Sequence, residues 1–446
     1  MTANQENWKL TSFNEPFEHW ILDGIFEDEF LSKVKEESVK EISFSLKETD
    51  IYKIQQTGDL SSLSFIDSSL LKNIRILRDS IYSHQFRSFL QNVTGCGPLS
   101  PTKQDMSINS YTKGCHLLNH DDAIGTRRLS YILYIPSKLW NEHWGGALEL
   151  YPTTQPIPES SILPTWNQFL FFQVQPGRSF HSVQEVVVEK ERLTISGWFH
   201  APQQGEEGYI PPQSSTQVTS SRDQLTSTST ILNPYPSINH PPLPTNPLSK
   251  EHISFLSQFL NPIYLQPPTL KALAARFVKE SNLELHSFLL DSLASNLAPS
   301  LRDLDQKHSL GPSRNGLLPS HHAGTNNTNW AIKGPPHKFR YCSLQPTPHQ
   351  QPTPSDEIIH SLKDTLFTSE PFRAWIAIVS SVLPLGYAVE ARRFRPGLDY
   401  TLATSEENES RLDVVLGLTP GNEQGWQSGE WGGWEVCFSI RKNNDK

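Results

Sequence analysis

Three residues in the first half of the chain could together hold a metal ion. His120 and Asp122 lie two positions apart in the stretch HLLNHDD, and His181 follows in the stretch SFHSV. Alternate residues on a β-strand project from the same face, so His120 and Asp122 are predicted to point together while Asp121 points away. Two histidines and one carboxylate on one face of an ion leave its other coordination positions open for chemistry. The alternative is a histidine and two aspartates in an exposed turn.

Arg192 could bind a carboxylate ligand next to such a metal. It lies 11 positions after the second histidine, on the next predicted strand (RLTISGWFH), where it shares a face with Thr194. A guanidinium holds a carboxylate through two parallel hydrogen bonds that a lysine cannot reproduce, and the Thr194 hydroxyl could donate another. The alternative is a surface arginine paired with Glu189 or Glu191. The triad followed by this arginine resembles the pattern of the oxygenases that use Fe(II) and 2-oxoglutarate.

The groups that could do chemistry lie in a strand-rich region. Between residues 107 and 200, runs such as RRLSYILYI, NQFLFFQV and RLTISGWFH are separated by turn signals, which predicts an antiparallel sandwich or barrel. The first 90 residues instead carry apolar residues at spacings of three and four, which predicts helices packed against that barrel. The expected fold class is mainly β with flanking helices (α+β), and residues 1–200 are predicted to form the first domain.

Composition divides the rest of the chain. Residues 201–248 are dominated by Ser, Thr, Pro and Gln and cannot bury enough apolar surface to order themselves, which predicts a disordered linker. Helical periodicity resumes after this segment and strands return near the C-terminus, so a second domain is predicted over 249–446. A low-complexity insertion rich in Pro, Gln and His, at about 306–355, interrupts the second domain.

The last predicted strands repeat part of the first domain. Two pairs of segments match, namely 111–133 (YTKGCHLLNHDDAIGTRRLSYIL) with 394–416 (FRPGLDYTLATSEENESRLDVVL), and 144–151 (WGGALELY) with 431–438 (WGGWEVCF). This pattern indicates an internal duplication. The metal-ligand candidates His120 and Asp122 correspond to Ala403 and Ser405, so the second copy is predicted to lack a metal site.

The whole-chain composition argues against several classes of function. A formal net charge of -9 over 446 residues opposes binding to nucleic-acid phosphates through a basic face. No apolar run approaches the roughly 18 residues of a membrane span, and the N-terminus has no secretory signal pattern. The four cysteines have no CxxC spacing, which predicts neither disulfides nor a zinc site. A cytoplasmic or nuclear protein, in a reducing compartment, is expected.

Several motifs closely resemble those of one enzyme family. The stretches NSYTKGCHLLNHDDAIGTRRLSYILYIP, WGGALELYP and RLTISGWFH are similar to the Fe(II)- and 2-oxoglutarate-dependent prolyl 3-hydroxylases associated with translation termination (the Tpa/Ofd-like family). The similarity runs through nearly the whole chain. It implies two double-stranded β-helix (jelly-roll) domains, of which the first is catalytic and the second is inactive. In the first domain, 54 residues follow Gly146 up to His200, but only 13 follow Gly433, so the second jelly roll is expected to be incomplete.

The resemblance also implies roles for individual residues. Fe(II) would be held by His120, Asp122 and His181, and no catalytic residue is implied beyond this metal centre. The groups implied to bind 2-oxoglutarate are Arg192, with hydroxyls from Tyr111, Tyr134 and, from the strand pattern, Thr194. For the two tyrosines, packing in the core is the alternative role.

The same resemblance implies cofactors and partners. O2 and ascorbate would act with Fe(II) and 2-oxoglutarate. The substrate would be a proline in a basic small-subunit ribosomal protein, and translation-termination or messenger-ribonucleoprotein factors would be further partners. Two other functions compete with this interpretation. A nucleic-acid demethylase has the same metal ligands, but the net charge opposes it. A scaffold has no reason to keep Arg192 beside an intact triad.

Overall fold

The computed structural model divides the chain into two compact units. The first unit comprises residues 1–233, 308–351 and 390–409, and the second comprises 234–307, 352–389 and 410–446. The structure therefore divides the predicted 249–446 domain between the two units. The residues that the structure describes are 8–61, 70–137, 139–211, 231–235, 243–346, 349–402 and 411–419.

One antiparallel sheet of 12 strands dominates the first unit, in the order β1-β2-β10-β7-β12-β5-β4-β6-β11-β8-β9 with β3 paired to β4. The strands in the described part of the chain are β1 (Lys9–Phe13), β2 (His19–Asp23), β3 (Ser45–Glu48), β4 (Tyr52–Gln56), β5 (Gln104–Tyr111), β6 (His116–His120), β7 (Arg127–Tyr134), β8 (Leu148–Leu150), β9 (Ser160–Ile162), β10 (Gln168–Gln173), β11 (His181–Val183), β12 (Arg192–His200), β13 (Asn233–Pro234), β14 (Trp330–Lys333), β15 (Phe339–Leu344), β16 (Gly386–Tyr387), β17 (Arg392–Arg393) and β18 (Tyr400–Thr401).

The central strands of this sheet are buried on both faces. In β10, Phe169 and Phe171 pack in the apolar cluster on the helix side of the sheet, whereas Leu170 and Phe172 pack in the cluster on its inner side. Two buried faces explain why the run QFLFFQ is apolar at successive positions instead of alternating with polar residues. The inner cluster includes Tyr111 and Tyr134, two of the residues expected to bind 2-oxoglutarate. The inner face of the sheet therefore forms the wall of the candidate site.

Helices cover the outer face of the sheet. In α2, the buried residues Ile74, Leu77 and Ile81 recur at spacings of three and four and pack in the same cluster as Phe169. The Ser83 side chain caps the next helix by accepting a hydrogen bond from the Phe86 amide. The predicted fold class, mainly β with flanking helices, is confirmed. Among the described residues of the first unit, the helices are α1 (Asp28–Glu41), α2 (Lys72–Ile81), α3 (His84–Thr94) and two 3-10 turns (Glu142–Trp144 and Pro312–Arg314).

The internal repeat recurs in the strand pairing. Strand β4 pairs with β3 on one side and with both β5 and β6 on the other. Strand β15 likewise pairs with β14 on one side and with both β17 and β18 on the other. Gly114 and Gly397, which are aligned in the sequence repeat, both have positive φ, of 85° and 70°. The described strands of the second copy therefore form the same local motif, within the first unit. Ala403, Ser405 and the segment 431–438 lie outside the described residues.

A buried charge network ties this second motif to the main sheet. Glu149 in β8 is 2% exposed and accepts hydrogen bonds from His321 Nε2 (2.6 Å) and the Tyr151 hydroxyl (2.7 Å). Arg340 Nη1 donates to the same Tyr151 hydroxyl at 2.8 Å. Burial would raise the pKa of Glu149, but His321, Arg340 and Tyr151 lower it to about 2. These buried partners explain why residues 308–351 belong to the first unit.

The described residues of the second unit are mainly helical. Their core includes Phe372, Trp375 and Val379, which lie at spacings of three and four on the last helix. Trp375 Nε1 donates to the Tyr264 carbonyl at 2.9 Å. The helices are α4 (Lys250–Leu256), a 3-10 turn (Pro262–Leu265), α5 (Pro267–Glu280), α6 (Asp291–Lys307), α7 (Pro354–His360), a π turn (Ser361–Leu366) and α8 (Glu370–Ser380).

The start of the predicted linker packs on the first unit. Within 201–211, Glu206 accepts a hydrogen bond from the Ser100 hydroxyl at 3.0 Å, and its other oxygen accepts one from the Gln203 amide at 2.7 Å. The folded part of this unit thus continues past His200. Most of the predicted linker and the expected incomplete C-terminus lie outside the described residues. Across the described helices, none is both long and apolar enough to cross a bilayer.

Candidate active site

The three metal-ligand candidates meet where β6 and β11 pair. His120 ends β6, His181 begins β11, and the two residues are direct partners across the ladder. Asp122 Oδ1 lies 3.3 Å from His120 Nε2, and Asp122 Oδ2 lies 3.6 Å from His181 Nε2. One ligand atom from each side chain lies within 4.8 Å of the others. Atoms about 2.1 Å from a common ion must lie this close together, so the three side chains fit one metal.

Asp122 faces the histidines for a reason that differs from the predicted one. Strand β6 ends at His120, and Asp122 has a φ of 60°, in the left-handed region. A turn, and not strand alternation, therefore directs this carboxylate. The buried Asp121 supports the turn, because its carboxylate accepts hydrogen bonds from the amides of Ala123 (3.1 Å) and Gly177 (2.9 Å). Asp121 is not in the ligand group.

Backbone carbonyls fix the orientation of both imidazoles. His120 Nδ1 lies 2.9 Å from the Leu118 carbonyl oxygen, and His181 Nδ1 lies 2.8 Å from the Ser179 carbonyl oxygen. With the proton on Nδ1, each ring donates to the carbonyl two residues earlier. The lone pair of each Nε2 is then directed toward Asp122 and is available to a metal.

The charges of the triad suit a divalent cation. Burial would raise the pKa of Asp122, but the hydrogen bond with His120 and the charges of His181 and Arg127 hold it well below its usual range. Burial and the neighbouring His120 lower the pKa of His181 to about 4. Burial also acts to lower the pKa of His120, but Asp122 raises it overall. A bound ion would displace the proton that the carboxylate favours on His120.

The four residues predicted to bind 2-oxoglutarate lie together on three paired strands. Arg192 is opposite Tyr111 in the β12–β5 pair, and Thr194 is opposite Tyr134 in the β12–β7 pair. The Arg192 guanidinium carbon lies 4.8 Å from the Tyr111 ring centroid and 5.1 Å from the Tyr134 ring centroid. The two rings flank the guanidinium and restrict its orientation. The structure thus brings the predicted cosubstrate residues together inside the sheet.

Two buried polar atoms in this pocket fit a carboxylate ligand. Arg192 Nε donates to the Gly146 carbonyl at 2.6 Å, but Arg192 Nη2 and the Tyr134 hydroxyl have no hydrogen-bond partner among the described residues. Leaving such a group buried and unpaired costs about 1–3 kcal/mol. A carboxylate would accept from both. Gly146 has a φ of 73°, and a Cβ there would lie 2.9 Å from Arg192 Cδ, so glycine is needed to leave room for this arginine.

We expect Tyr134→Phe to change stability and ligand affinity in opposite directions. Removing the unpaired hydroxyl should leave the ligand-free protein as stable as before or slightly more stable, because no hydrogen bond is lost. The dissociation constant for 2-oxoglutarate should rise by about tenfold, equivalent to about 1.4 kcal/mol. Thermal unfolding without ligand and calorimetric titration with 2-oxoglutarate measure the two effects. An unchanged dissociation constant would show that Tyr134 only packs in the core.

Two residues beside Asp122 were not predicted from the sequence. Trp198 Nε1 donates to Asp122 Oδ2 at 3.0 Å, and the Arg127 guanidinium carbon lies 3.4 Å from the centroid of a Trp198 ring. Trp198 lies six positions after Arg192 on the same strand, so the strand pattern could have placed it on the inner face. Cys115 is buried in the inner cluster, where it packs as a small apolar side chain.

An iron-ligand triad and an arginine pocket on an antiparallel sheet define the 2-oxoglutarate- and Fe(II)-dependent oxygenases. Residues 106–200 match the 2OG-Fe(II) oxygenase superfamily, and residues 251–446 match the family described as oxoglutarate and iron-dependent oxygenase degradation C-term. The chain is also 37% identical over 451 residues to the prolyl 3,4-dihydroxylase OGFOD1 of Ostreococcus tauri, covering 97% of this chain and 84% of that protein. The chain therefore belongs to the OGFOD1 family of 2-oxoglutarate- and Fe(II)-dependent oxygenases.

Other relatives align over a smaller part of their length. The prolyl 3-hydroxylase OGFOD1 of Mus musculus is 30% identical over 281 residues, which cover 62% of this chain and 44% of the mouse protein. The prolyl 3-hydroxylase sudestada1 of Drosophila melanogaster is 30% identical over 287 residues, which cover 62% of this chain and 47% of the fly protein. The superfamily match and the Ostreococcus relative confirm the predicted family and, with it, the use of Fe(II), 2-oxoglutarate and O2.

Proposed function

We propose that this chain is a prolyl 3-hydroxylase whose substrate is a basic protein of the small ribosomal subunit. The observation that supports the oxygenase chemistry most directly is the geometry inside one sheet, where His120, Asp122 and His181 converge near the buried Arg192. The choice of proline is supported by the names of the relatives in Ostreococcus, mouse and Drosophila.

Each group of residues has a defined task in this proposal. His120, Asp122 and His181 would hold Fe(II) and leave part of its coordination shell open. Arg192 and Tyr134 would donate hydrogen bonds to one carboxylate of 2-oxoglutarate, with Tyr111 shielding the guanidinium. When bound, Fe(II), 2-oxoglutarate and O2 supply the oxidant that hydroxylates an unactivated C–H bond, with release of succinate and CO2. The surrounding apolar cluster excludes water from this chemistry.

Charge favours a basic protein as the substrate. The chain carries a formal net charge of -9, so its field attracts positively charged proteins and repels polyanions. Ribosomal proteins are such partners, and hydroxylation near the decoding centre would influence the accuracy of translation termination. Termination or messenger-ribonucleoprotein factors are further proposed partners, and the cytoplasm or nucleus is the proposed location. Ascorbate would keep the iron in the Fe(II) state.

The test is a peptide hydroxylation assay. The full chain with Fe(II), ascorbate and 2-oxoglutarate should add the mass of one oxygen atom to a proline in a peptide from a basic small-subunit ribosomal protein. Fragmentation of the product by mass spectrometry should place the oxygen on the proline, and comparison with synthetic standards should identify carbon 3. The gain should disappear in the Asp122→Ala variant.

Two other substrates distinguish the competing functions. Methylated single-stranded DNA and RNA should remain methylated under the same conditions. If they lose the methyl group and no peptide gains mass, the chain is a nucleic-acid demethylase. If 2-oxoglutarate is consumed without either product, the prolyl substrate is wrong while the oxygenase site remains. A second added oxygen would instead match the dihydroxylase named for the Ostreococcus relative.

A further inference from the structure

Asp122 depends on side-chain contacts for its orientation. It lies beyond the end of β6, in a turn with positive φ, so no ladder hydrogen bonds fix its backbone as they fix the two histidines. The side chain is 5% exposed, and both of its oxygens lie within 4 Å of an imidazole. A metal site in this position needs a rigid support that holds the carboxylate in one orientation.

We propose that Trp198, supported by Arg127, is a positioning residue that directs Asp122 toward the metal. Trp198 Nε1 donates to Asp122 Oδ2 at 3.0 Å. This hydrogen bond uses one lone pair of Oδ2 and leaves Oδ1 to bind the ion. Oδ1 lies 3.3 Å from His120 Nε2. An indole is a donor only, so it cannot compete with Asp122 for the metal.

Trp198 is suited to this role because its strand is fixed on both sides. It is opposite Asp105 in the pairing of β12 with β5, and opposite Ser130 in the pairing of β12 with β7. The same strand begins with Arg192, six residues earlier. One rigid strand therefore carries both Arg192 of the cosubstrate pocket and Trp198, which supports the metal-binding carboxylate. This arrangement holds the two sites in a fixed position relative to each other.

Arg127 restrains the indole and adds charge. Its guanidinium carbon lies 3.4 Å from a Trp198 ring centroid, a stacking distance, and its Nη1 lies 3.8 Å from Asp122 Oδ1. The stack restricts rotation of the indole, and the positive charge favours the ionised carboxylate. Because Arg127 begins β7, this side chain is also held by the sheet.

The test measures metal binding without turnover. Mn(II) would be titrated into the metal-free full chain, and free Mn(II) would be followed by its electron paramagnetic resonance signal. Trp198→Phe keeps a ring for Arg127 to stack on but removes the N–H donor. We expect the Mn(II) dissociation constant to rise by about 10–100-fold, as for other partners of metal ligands. Because no substrate is present, the result depends on the metal site and not on the proposed prolyl activity.

Trp166→Phe is the matched control. Trp166 Nε1 also donates to a carboxylate, Asp28 Oδ1, at 2.8 Å, but both residues lie outside the metal-ligand group. This variant should bind Mn(II) as the wild type does, and thermal unfolding of the metal-free proteins should show that both tryptophan variants fold. Wild-type Mn(II) affinity in Trp198→Phe would overturn the proposal.

A second variant decides the outcome if Trp198→Phe does not fold. Arg127→Gln removes the charge and the broad stacking surface but leaves the indole donor in place. We expect its Mn(II) dissociation constant to rise several-fold, less than that of Trp198→Phe, because Arg127 acts partly through the indole. An unchanged constant would overturn the role of Arg127, and, with Trp198→Phe unfolded, the proposal as a whole.

Discussion

Replacing His120 with alanine is expected to abolish both metal binding and oxidation of 2-oxoglutarate. The variant leaves only Asp122 and His181 to hold the ion. It also removes the imidazole whose Nε2 lies 3.3 Å from Asp122 Oδ1. Metal affinity should fall by more than roughly 100-fold, because His120 is a ligand itself, whereas changing a residue that only hydrogen-bonds to a ligand costs up to about 100-fold. Mn(II) titration and succinate production with Fe(II) would measure the two losses.

His116→Ala is the control for this experiment. His116 lies on the same strand as His120 and contacts a carbonyl in the same way, with Nδ1 3.0 Å from the Gly114 oxygen. It is not part of the ligand group. His116→Ala should therefore bind Mn(II) like the wild type. Stoichiometric metal in the His120→Ala protein, measured after gel filtration, would disprove the assigned site.

The residues proposed from the sequence as metal ligands lie together in the structure, but the path of the chain around them could not be predicted. The three metal-ligand candidates and Arg192 could be chosen because their chemistry is specific to residue type and their spacing matched strand alternation. Strand alternation nevertheless does not explain the orientation of Asp122, whose φ of 60° places it in a turn. Residue types allow such a turn, but they do not reveal where a strand ends.

The partner of Asp122 was missed for a related reason. Trp198 contacts Asp122 across 76 positions of sequence, and an aromatic residue in a strand usually packs in a core. Only the pairing of β12 between β5 and β7 shows that its N–H reaches the carboxylate. Pair contacts between distant strands depend on register, which a single sequence constrains weakly.

The division into units was also beyond the reach of composition. The segment at about 306–355 is predicted from composition to be an insertion because it is rich in Pro, Gln and His, yet it supplies His321 and Arg340 to the buried network around Glu149. A polar segment becomes ordered when buried partners satisfy its hydrogen-bonding groups. Here those partners are Glu149 for His321 and Tyr151 for Arg340, about 170 and 190 positions earlier in the sequence.

Arg192→Lys should weaken 2-oxoglutarate binding by more than tenfold, equivalent to more than about 1.4 kcal/mol, while leaving Mn(II) affinity unchanged. The guanidinium makes two kinds of contact at once. Arg192 Nε donates to the Gly146 carbonyl at 2.6 Å, and Arg192 Nη2, unpaired among the described residues, remains for a ligand. A lysine has a single nitrogen and no planar surface to lie between the rings of Tyr111 and Tyr134.

The measurement is calorimetric titration of 2-oxoglutarate into the Mn(II)-loaded protein, in which no turnover takes place. Arg128→Lys is the matched control, because the hydrogen bond of Arg128 among the described residues goes from its Nη1 to the Pro98 carbonyl and not to a residue of the pocket. It should bind 2-oxoglutarate like the wild type. If Arg192→Lys also binds normally, another cation holds the carboxylate and the pocket is misassigned. If Mn(II) affinity falls together with 2-oxoglutarate affinity, Arg192 supports the metal through strand β12, and the two sites are mechanically coupled by the strand that carries both Arg192 and Trp198.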